Sequence, residues 1–487
     1  MKKKILLIRT HKHLNAGGPI PPIGLLYIAT AILKNFADTY EVKIINLGLN
    51  NFTVDDIICQ IKSYDPYILG MSVLTCEADI MQEIAQQAKA IKKEIIVLVG
   101  GPHASLVKEG ILHDNNIDYG VIGEGENTII ELLRGLENKK DISSIKGIVC
   151  RNNNSISCTQ RAEYVADLDS LDILPDAWGL IDLKEYARCA NWNGAGKEKL
   201  YAPVLTSRGC PFNCAFCNSR NIFGRGFRTR SPENVFSEML FLYRKYGIKE
   251  IHIIDDVFNF NSERVNRICS LIINSGIDFS LAFPNGLRID MMTEEMISSL
   301  KRAGTYKINY GIETAEAGMQ QIINKELNLT YANDIINKTM DAGIITAGYF
   351  ILGFPNESCE NMMKTVKFAL GSNLDNAYFF KYTNFLDSGL DDKKGKDEEK
   401  ISHGHDDLHF YSLARPGVNM PAAKLNNIIL KAQQDFYLNP RRILRGILRA
   451  KHKLVYLRNL LNAFSRILQS YLFRELIFNN KLDTGQS

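Results

Sequence analysis

Short runs of β-branched and aliphatic residues alternate with helix-length amphipathic runs over residues 1–150, and the alternation resumes at residue 204. This rhythm restricts the chain to mainly parallel sheets whose faces are covered by helices. In the first stretch, strands are expected at Lys4–Arg9, Val42–Leu47, Tyr67–Val73, Ile95–Val99 and Tyr119–Ile122. Helices are expected at Ile23–Asn35, Val54–Ser63, Ala78–Ile91 and Asn127–Gly135. Such units build a doubly wound α/β sheet, with a ligand expected beyond the carboxyl ends of its strands. Three loops stand there: Ser72-Val-Leu-Thr75, Gly100-Gly-Pro-His103 and Gly123-Glu-Gly-Glu126.

The second stretch predicts strands at Val204–Ser207, Glu250–Asp255, Phe279–Ala282, Lys307–Ile312, Thr346–Leu352 and Ala377–Tyr382. These six β/α units suit a full or partial barrel, with chemistry at the strand carboxyl ends. The expected organisation is a sheet domain over 1–150, a bridging segment over 151–200 and a barrel over 201–386. A mobile, densely charged loop over 387–410 and a basic, mostly helical region over 411–487 complete it.

A length of 487 residues accommodates about three domains at roughly 150 residues each. With 45% hydrophobic and 23% charged residues, a wholly disordered chain is excluded. The start, Met1-Lys-Lys-Lys-Ile-Leu-Leu-Ile-Arg9, reads as a first strand rather than a signal peptide, so a cytoplasmic location is expected. In a reducing compartment the ten cysteines would bind metal, react or pack rather than form disulfides. A net charge of +4 is too small to imply a nucleic-acid partner. Residues 421–487, however, hold 12 Lys and Arg against 3 Asp and Glu.

The chemistry is concentrated in Ser207-Arg-Gly-Cys210-Pro-Phe-Asn-Cys214-Ala-Phe-Cys217, directly after a strand. Thiolates this close on one loop hold an iron–sulfur cluster or zinc. Three nearby ligands leave one iron of a four-iron cluster without a protein thiolate and open to a small molecule. The alternatives are three buried thiols or a structural Cys3His zinc site, with His252 as the candidate fourth ligand.

The cysteine loop resembles that of the radical S-adenosylmethionine (SAM) superfamily. In order downstream, Ile251-His-Ile-Ile-Asp-Asp256, Asn285-Gly-Leu-Arg288, Gly311-Ile-Glu-Thr314 and Gly348-Tyr-Phe-Ile-Leu-Gly353-Phe-Pro355 resemble its later strand-end motifs. The resemblance implies a 4Fe-4S cluster on Cys210, Cys214 and Cys217. It also implies contacts to SAM from Phe216, Asp255, Asp256, Arg288, Glu313, Thr314 and Gly353.

Residues 1–150 resemble the cobalamin-binding, flavodoxin-like (Rossmann-type) domain that precedes many such barrels. The matching positions are Pro21-Pro-Ile-Gly24, the three loops named above and Leu174-Pro-Asp-Ala-Trp178. The resemblance implies cobalamin contacts from Ser72, Thr75, Gly100, Gly101, His103 and Glu124; the alternative is a flavodoxin-like domain for another nucleotide, or for none. No Asp-x-His-x-x-Gly occurs, so cobalamin is expected base-off, without an axial histidine. Cys76 lies beside this face but reads as a packing residue. Cys59, Cys150, Cys158, Cys189, Cys269 and Cys359 are expected to be structural, and His403, His405 and His409 solvated.

Ala432-Gln-Gln-Asp-Phe-Tyr-Leu-Asn-Pro440 resembles a stretch near the end of the magnesium-protoporphyrin cyclase and P-methylase subgroup. The resemblance as a whole implies an enzyme that methylates an unactivated carbon of a small-molecule or lipid-like substrate. A reductase or flavodoxin-type electron donor is expected, and the basic C-terminal helices would cap the barrel, touch an anionic membrane surface or meet that acidic donor. The competing expectations are a ring-forming or oxidising enzyme without net methyl transfer, and a cobalamin-binding sensor.

Overall fold

The computed structural model describes residues 2–10, 19–49, 52–152, 155–171, 173, 175–188, 196–383, 390 and 420–449. The expectations for His403, His405, His409, Cys189, Leu174, nearly all of the charged loop and everything after 449 fall outside these residues.

The first sheet contains β1 (Lys3–Arg9), β2 (Tyr40–Asn46), β3 (Ile68–Ser72), β4 (Ile96–Gly100), β5 (Tyr119–Val121), β6 (Ile148–Asn152) and β7 (Ser155–Cys158), in the order β2-β1-β3-β4-β5-β6-β7. The first five strands are parallel, and the order reverses between β1 and β3, which is the switch point of a doubly wound sheet. Ile5-Leu-Leu-Ile8 is buried throughout because both faces are covered. Leu6 and Ile8 face helices Val54–Tyr64 and Ala78–Ile91; Ile5 and Leu7 face helices Ile23–Phe36 and Glu126–Asn138.

Two differences from the sequence reading concern residues 148–200. Strands β6 and β7 form an antiparallel hairpin that extends the first sheet to Cys158, with Asn152 and Ser155 flanking its turn. The polar bridge also contains a packed anchor. Trp178 is fully buried, and Asn46 Nδ2 donates to Tyr186 Oη at 3.2 Å, tying the bridge to β2.

The second sheet contains β8 (Tyr201–Val204), β11 (Glu250–Ile253), β12 (Ser280–Leu287), β13 (Thr305–Glu313), β14 (Ile345–Leu352) and β15 (Asn376–Lys381), all parallel and in sequential order. Among the described residues β15 does not pair with β8, so the barrel is partial. The first barrel strand ends at Val204, short of the expected Ser207. Beyond it, β9 (Ser207–Arg208) pairs antiparallel with β10 (Arg228–Thr229) and closes the base of the cysteine loop.

Helix Ala422–Tyr437 covers the free edge of β15, where Tyr437 Oη donates to the Ala377 carbonyl at 3.0 Å. Behind it, the Arg442 guanidinium donates to the carbonyls of Ala369 (3.1 Å), Leu370 (2.8 Å) and Ser372 (2.7 Å), satisfying the end of helix Cys359–Gly371. The described part of the basic region therefore caps the barrel.

Candidate functional site

The cysteine loop runs from Gly209 to Phe227 above the β9–β10 ribbon. Gly209 has φ +83, and a Cβ there would lie 2.2 Å from the Gly226 carbonyl oxygen, so only glycine lets the two ends of the loop approach. Inside the loop, Cys217 N donates to the Cys214 carbonyl at 3.1 Å, and Ala215 N donates to the Ile323 carbonyl at 2.9 Å. These bonds hold the middle of the loop against the barrel. Burial pushes the Cys217 thiol up to about 12 and raises that of Cys210, with the Asp256 carboxylate adding to both.

The residues expected to surround the cysteines divide by what they touch. Arg288, just past β12, donates to Cys214 Sγ at 3.7 Å and to the Lys325 carbonyl at 3.1 Å, and pairs with Asp290 at 3.0 Å. Asp256 accepts from Ser219 Oγ at 2.5 Å, and burial raises its carboxyl. Glu313 closes β13 at φ +67, a backbone region sparsely populated outside glycine, and pairs with Lys325 Nζ at 2.8 Å. Gly311 makes room for that pair, since a Cβ would lie 2.6 Å from Glu313 Oε1. Phe216 packs at 6.1 Å on Phe354, beside Tyr382.

Three further residues named for SAM make contacts within the barrel. Asp255 is buried and accepts from Thr206 N at 2.6 Å, Thr206 Oγ1 at 2.5 Å and Ser207 Oγ at 2.6 Å. It clamps the end of β8, which explains why that strand stops early. Thr314 is fully buried against Thr365 Oγ1 at 3.1 Å. Gly353, at φ +87, donates its N–H to Glu357 Oε2 at 2.7 Å, and a Cβ there would lie 2.7 Å from Leu425 Cδ2.

The donor set of Cys210, Cys214 and Cys217, three thiols on one loop, suits a four-iron cluster with one iron left open. His252, the candidate fourth zinc ligand, is fully buried, with Nε2 2.7 Å from Glu250 Oε1 and its ring stacked on Tyr201 at 4.4 Å. Beside Cys217, the buried atoms Asn218 Oδ1 and Asn221 Nδ2 have no partner among the described residues, as expected where a bound group supplies the missing bonds.

At the carboxyl edge of the first sheet, Gly101 has φ +88, and a Cβ would lie 3.1 Å from Val73 N and 3.2 Å from Ser72 Oγ. His103 is buried, and its backbone N–H donates to the Val73 carbonyl at 3.0 Å. The Gly100 turn and the Ser72–Thr75 loop thus form one tight unit. Burial pushes the Cys76 thiol up to about 11, consistent with packing. Cys150 and Cys269 are buried, whereas Cys59 is exposed and has no core role.

The sequence reading missed Glu77, which is buried and ties β1 to β3 by accepting from Thr10 Oγ1 at 2.7 Å and Leu74 N at 3.0 Å. Glu124 lies at the base of the cysteine loop. It accepts from Arg228 Nη2 at 2.5 Å and Val165 N at 2.9 Å, while Glu126 accepts from Arg208 Nη2 at 2.6 Å. Both carboxylates therefore hold the ribbon under the cysteine loop. Burial opposes the Glu126 charge, but the Arg208 guanidinium outweighs it and keeps the carboxyl below its ordinary value. The only signal in the sequence was the paired acids of Gly123-Glu-Gly-Glu126; their arginine partners are distant in the chain.

A doubly wound sheet with a tight glycine turn, docked on an open barrel whose first strand leads into Cys-x3-Cys-x2-Cys, defines an iron–sulfur barrel enzyme with a nucleotide-type domain. Residues 13–133 match the B12 binding domain and 204–369 the Radical SAM superfamily. The chain is similar to an uncharacterized methyltransferase of Pyrococcus horikoshii, 29% identical over 88% of this chain and 90% of the relative. It is also similar to the anaerobic magnesium-protoporphyrin IX monomethyl ester cyclase of Rubrivivax gelatinosus, 24% identical over 95% of this chain and 82% of the relative. In fold it resembles the radical SAM methyltransferase TsrM of Kitasatospora setae, with a TM-score of 0.66 and 19% identity over 80% of this chain and 75% of that one. The chain belongs to the cobalamin-binding radical SAM enzymes, a family whose members include methyltransferases and cyclases. The family implies a 4Fe-4S cluster, SAM and cobalamin. No helix among the described residues is long and apolar enough to cross a membrane.

Proposed function

We propose that this enzyme methylates an unactivated carbon of a small-molecule or lipid-like substrate. The observation that supports this most directly is the docking of the glycine-turn edge of the first sheet on the cysteine loop. Helix Pro102–Val107, which starts at the Gly101 turn, packs against helix Arg220–Phe223 within that loop. When bound, the three groups supply reductive cleavage of SAM to a 5′-deoxyadenosyl radical, hydrogen abstraction from carbon, and a methyl group on cobalt for transfer.

In this reading Cys210, Cys214 and Cys217 hold the cluster, and Arg288 and Asp256 place charge beside it. Glu313, with Lys325, shapes the neighbouring strand end for the ribose or methionyl groups. Ser72, Thr75, Gly100 and Gly101 would hold cobalamin, base-off, and His103, fixed in the loop by its backbone N–H on the Val73 carbonyl, would stand beside the nucleotide tail. A flavodoxin-type donor supplies electrons. The excess of Lys and Arg over Asp and Glu after residue 449 supports contact with an anionic membrane surface.

The cyclase relatives favour a second reading, radical chemistry without net methyl transfer. Products separate the two. Methyl transfer yields 5′-deoxyadenosine together with S-adenosylhomocysteine, and a Cys214→Ala variant should yield neither. Turnover that gives 5′-deoxyadenosine without S-adenosylhomocysteine would replace the first reading by the second.

A further inference from the structure

Four charged side chains join the first domain to the base of the cysteine loop. Arg208 and Arg228 face each other across the β9–β10 ribbon, the point where the loop leaves the barrel and returns. Their partners are Glu124, on the turn after β5 of the first sheet, and Glu126, at the start of the helix that follows. Arg228 meets Glu124 through both terminal nitrogens, at 2.5 and 3.1 Å, a bidentate geometry that fixes orientation as well as distance. Glu124, Glu126 and Arg208 are buried, with Glu124 3% and Arg208 4% exposed at the side chain, and Arg228 is 14% exposed, so the attraction is only partly weakened by solvent.

Aromatic and backbone contacts extend the grip. The Arg208 guanidinium lies 4.8 Å over Tyr27 of the first domain and 5.3 Å over Phe223 of the loop. Arg161 donates to the Ile222 carbonyl at 3.1 Å, and Gly224 at φ +72 approaches the Tyr164 ring so closely that a Cβ would lie 2.8 Å from it. The same turn is linked to the glycine loop: Gly123 N donates to Ser105 Oγ at 2.9 Å, and Ser105 is in the helix that begins at Gly101.

We propose that Glu124 and Glu126 are positioning residues for the cysteine loop: acting through Arg228 and Arg208, they hold it in register from the first domain. The inference rests on reading Cys210, Cys214 and Cys217 as the cluster ligands. The coupling runs from the Gly100–Gly101 turn through Ser105, Gly123 and the two carboxylates to the loop.

The test is hydrogen exchange on the full-length, cluster-reconstituted protein with hydroxocobalamin added. Glu124→Gln, Glu126→Gln and the double variant remove charge without changing shape, and Glu126→Asp keeps the charge. The Gln variants should speed exchange of amides 209–228 by about tenfold, with the barrel strands and iron content unchanged. Glu126→Asp should recover most of the protection, and Glu233→Gln, which breaks the exposed pair with Arg267, should match the wild type. The change that SAM causes in the reduced cluster's electron paramagnetic resonance spectrum should be lost in the double variant and kept in Glu126→Asp. Wild-type exchange over 209–228 in the Gln variants, or equal acceleration throughout the barrel, would overturn the proposal. If the double variant does not fold, the single variants decide by the same readouts. Exchange does not depend on which reaction the enzyme catalyses, so failure here and failure of the methyl-transfer reading are separable.

Discussion

The Arg288 guanidinium donates to Cys214 Sγ at 3.7 Å while its central carbon lies 3.5 Å from the centre of the Phe212 ring. One planar cation is thus stacked on the cysteine loop and hydrogen-bonded to the middle of its three thiols, at the end of a strand adjacent to the one that carries Glu313. Neither contact was visible as a motif, because residues 212 and 214 are far from 288 in the chain.

Arg288→Ala is expected to leave the iron content intact and weaken SAM binding. A hydrogen bond to a charged group contributes about 1.5–3 kcal/mol, so the dissociation constant should rise by roughly ten- to a hundredfold. Arg288→Lys should fall between, since it keeps the charge but loses the planar stack. Titration calorimetry on anaerobic protein checks both; wild-type affinity in Arg288→Ala would remove this residue from the site.

The turn at Gly101 gives a prediction for the first domain. Gly101→Ala must hold a side chain at φ +88 against Val73 and Ser72, and should cost about 1–3 kcal/mol. Gly247→Ala, also at positive φ (+70) but with open space around the added carbon, should carry only the backbone strain of a left-handed residue, about 1–2 kcal/mol, and should cost less than Gly101→Ala. Thermal melts rank the two, and only Gly101→Ala should also weaken cobalamin retention on gel filtration.

Glu357 makes stability depend on pH. Burial raises its carboxyl from 4.5 to about 7, against the pull of the Gly353 and Phe354 N–H groups. Because the folded value lies above the unfolded one, the native state binds the proton more tightly. The stabilisation is fully present below about 4.5 and is lost as pH rises through about 7. Glu357→Gln keeps an acceptor for both N–H groups and should flatten the melting temperature over this window. An unchanged slope in the variant would show that Glu357 is not its source.

Cobalt spectroscopy tests the axial argument. The reduced Co(II) form should show a base-off spectrum with no nitrogen coupling from protein or nucleotide base, and His103→Ala should leave that pattern unchanged. A histidine nitrogen on cobalt would refute the assignment.

Much of the architecture was legible in residue order because its causes are local. Ile5-Leu-Leu-Ile8 needs cover on both faces wherever it lies, and Ala78–Ile91 carries the amphipathic spacing of a helix, which the structure reproduces residue for residue. The cysteine spacing also survives any reading of the remainder, since three thiols within one loop need no distant partner to be brought together. Strands β6 and β7 were less legible: a short antiparallel edge hairpin in a polar stretch has weak periodicity and gains its order from β5.

The side-chain roles at the site belong to the tertiary structure. Glu124 and Asp255 stand in motifs that read as ligand contacts, yet each meets polar groups from another part of the chain: Arg228 for the first, Thr206 and Ser207 for the second. A buried carboxylate must find a cation or hydrogen-bond donors, and which it finds depends on how the elements pack. Chain order placed these acids at strand ends; the docking of one sheet domain on the other decided that Glu124 would hold the barrel and Asp255 would clamp its first strand.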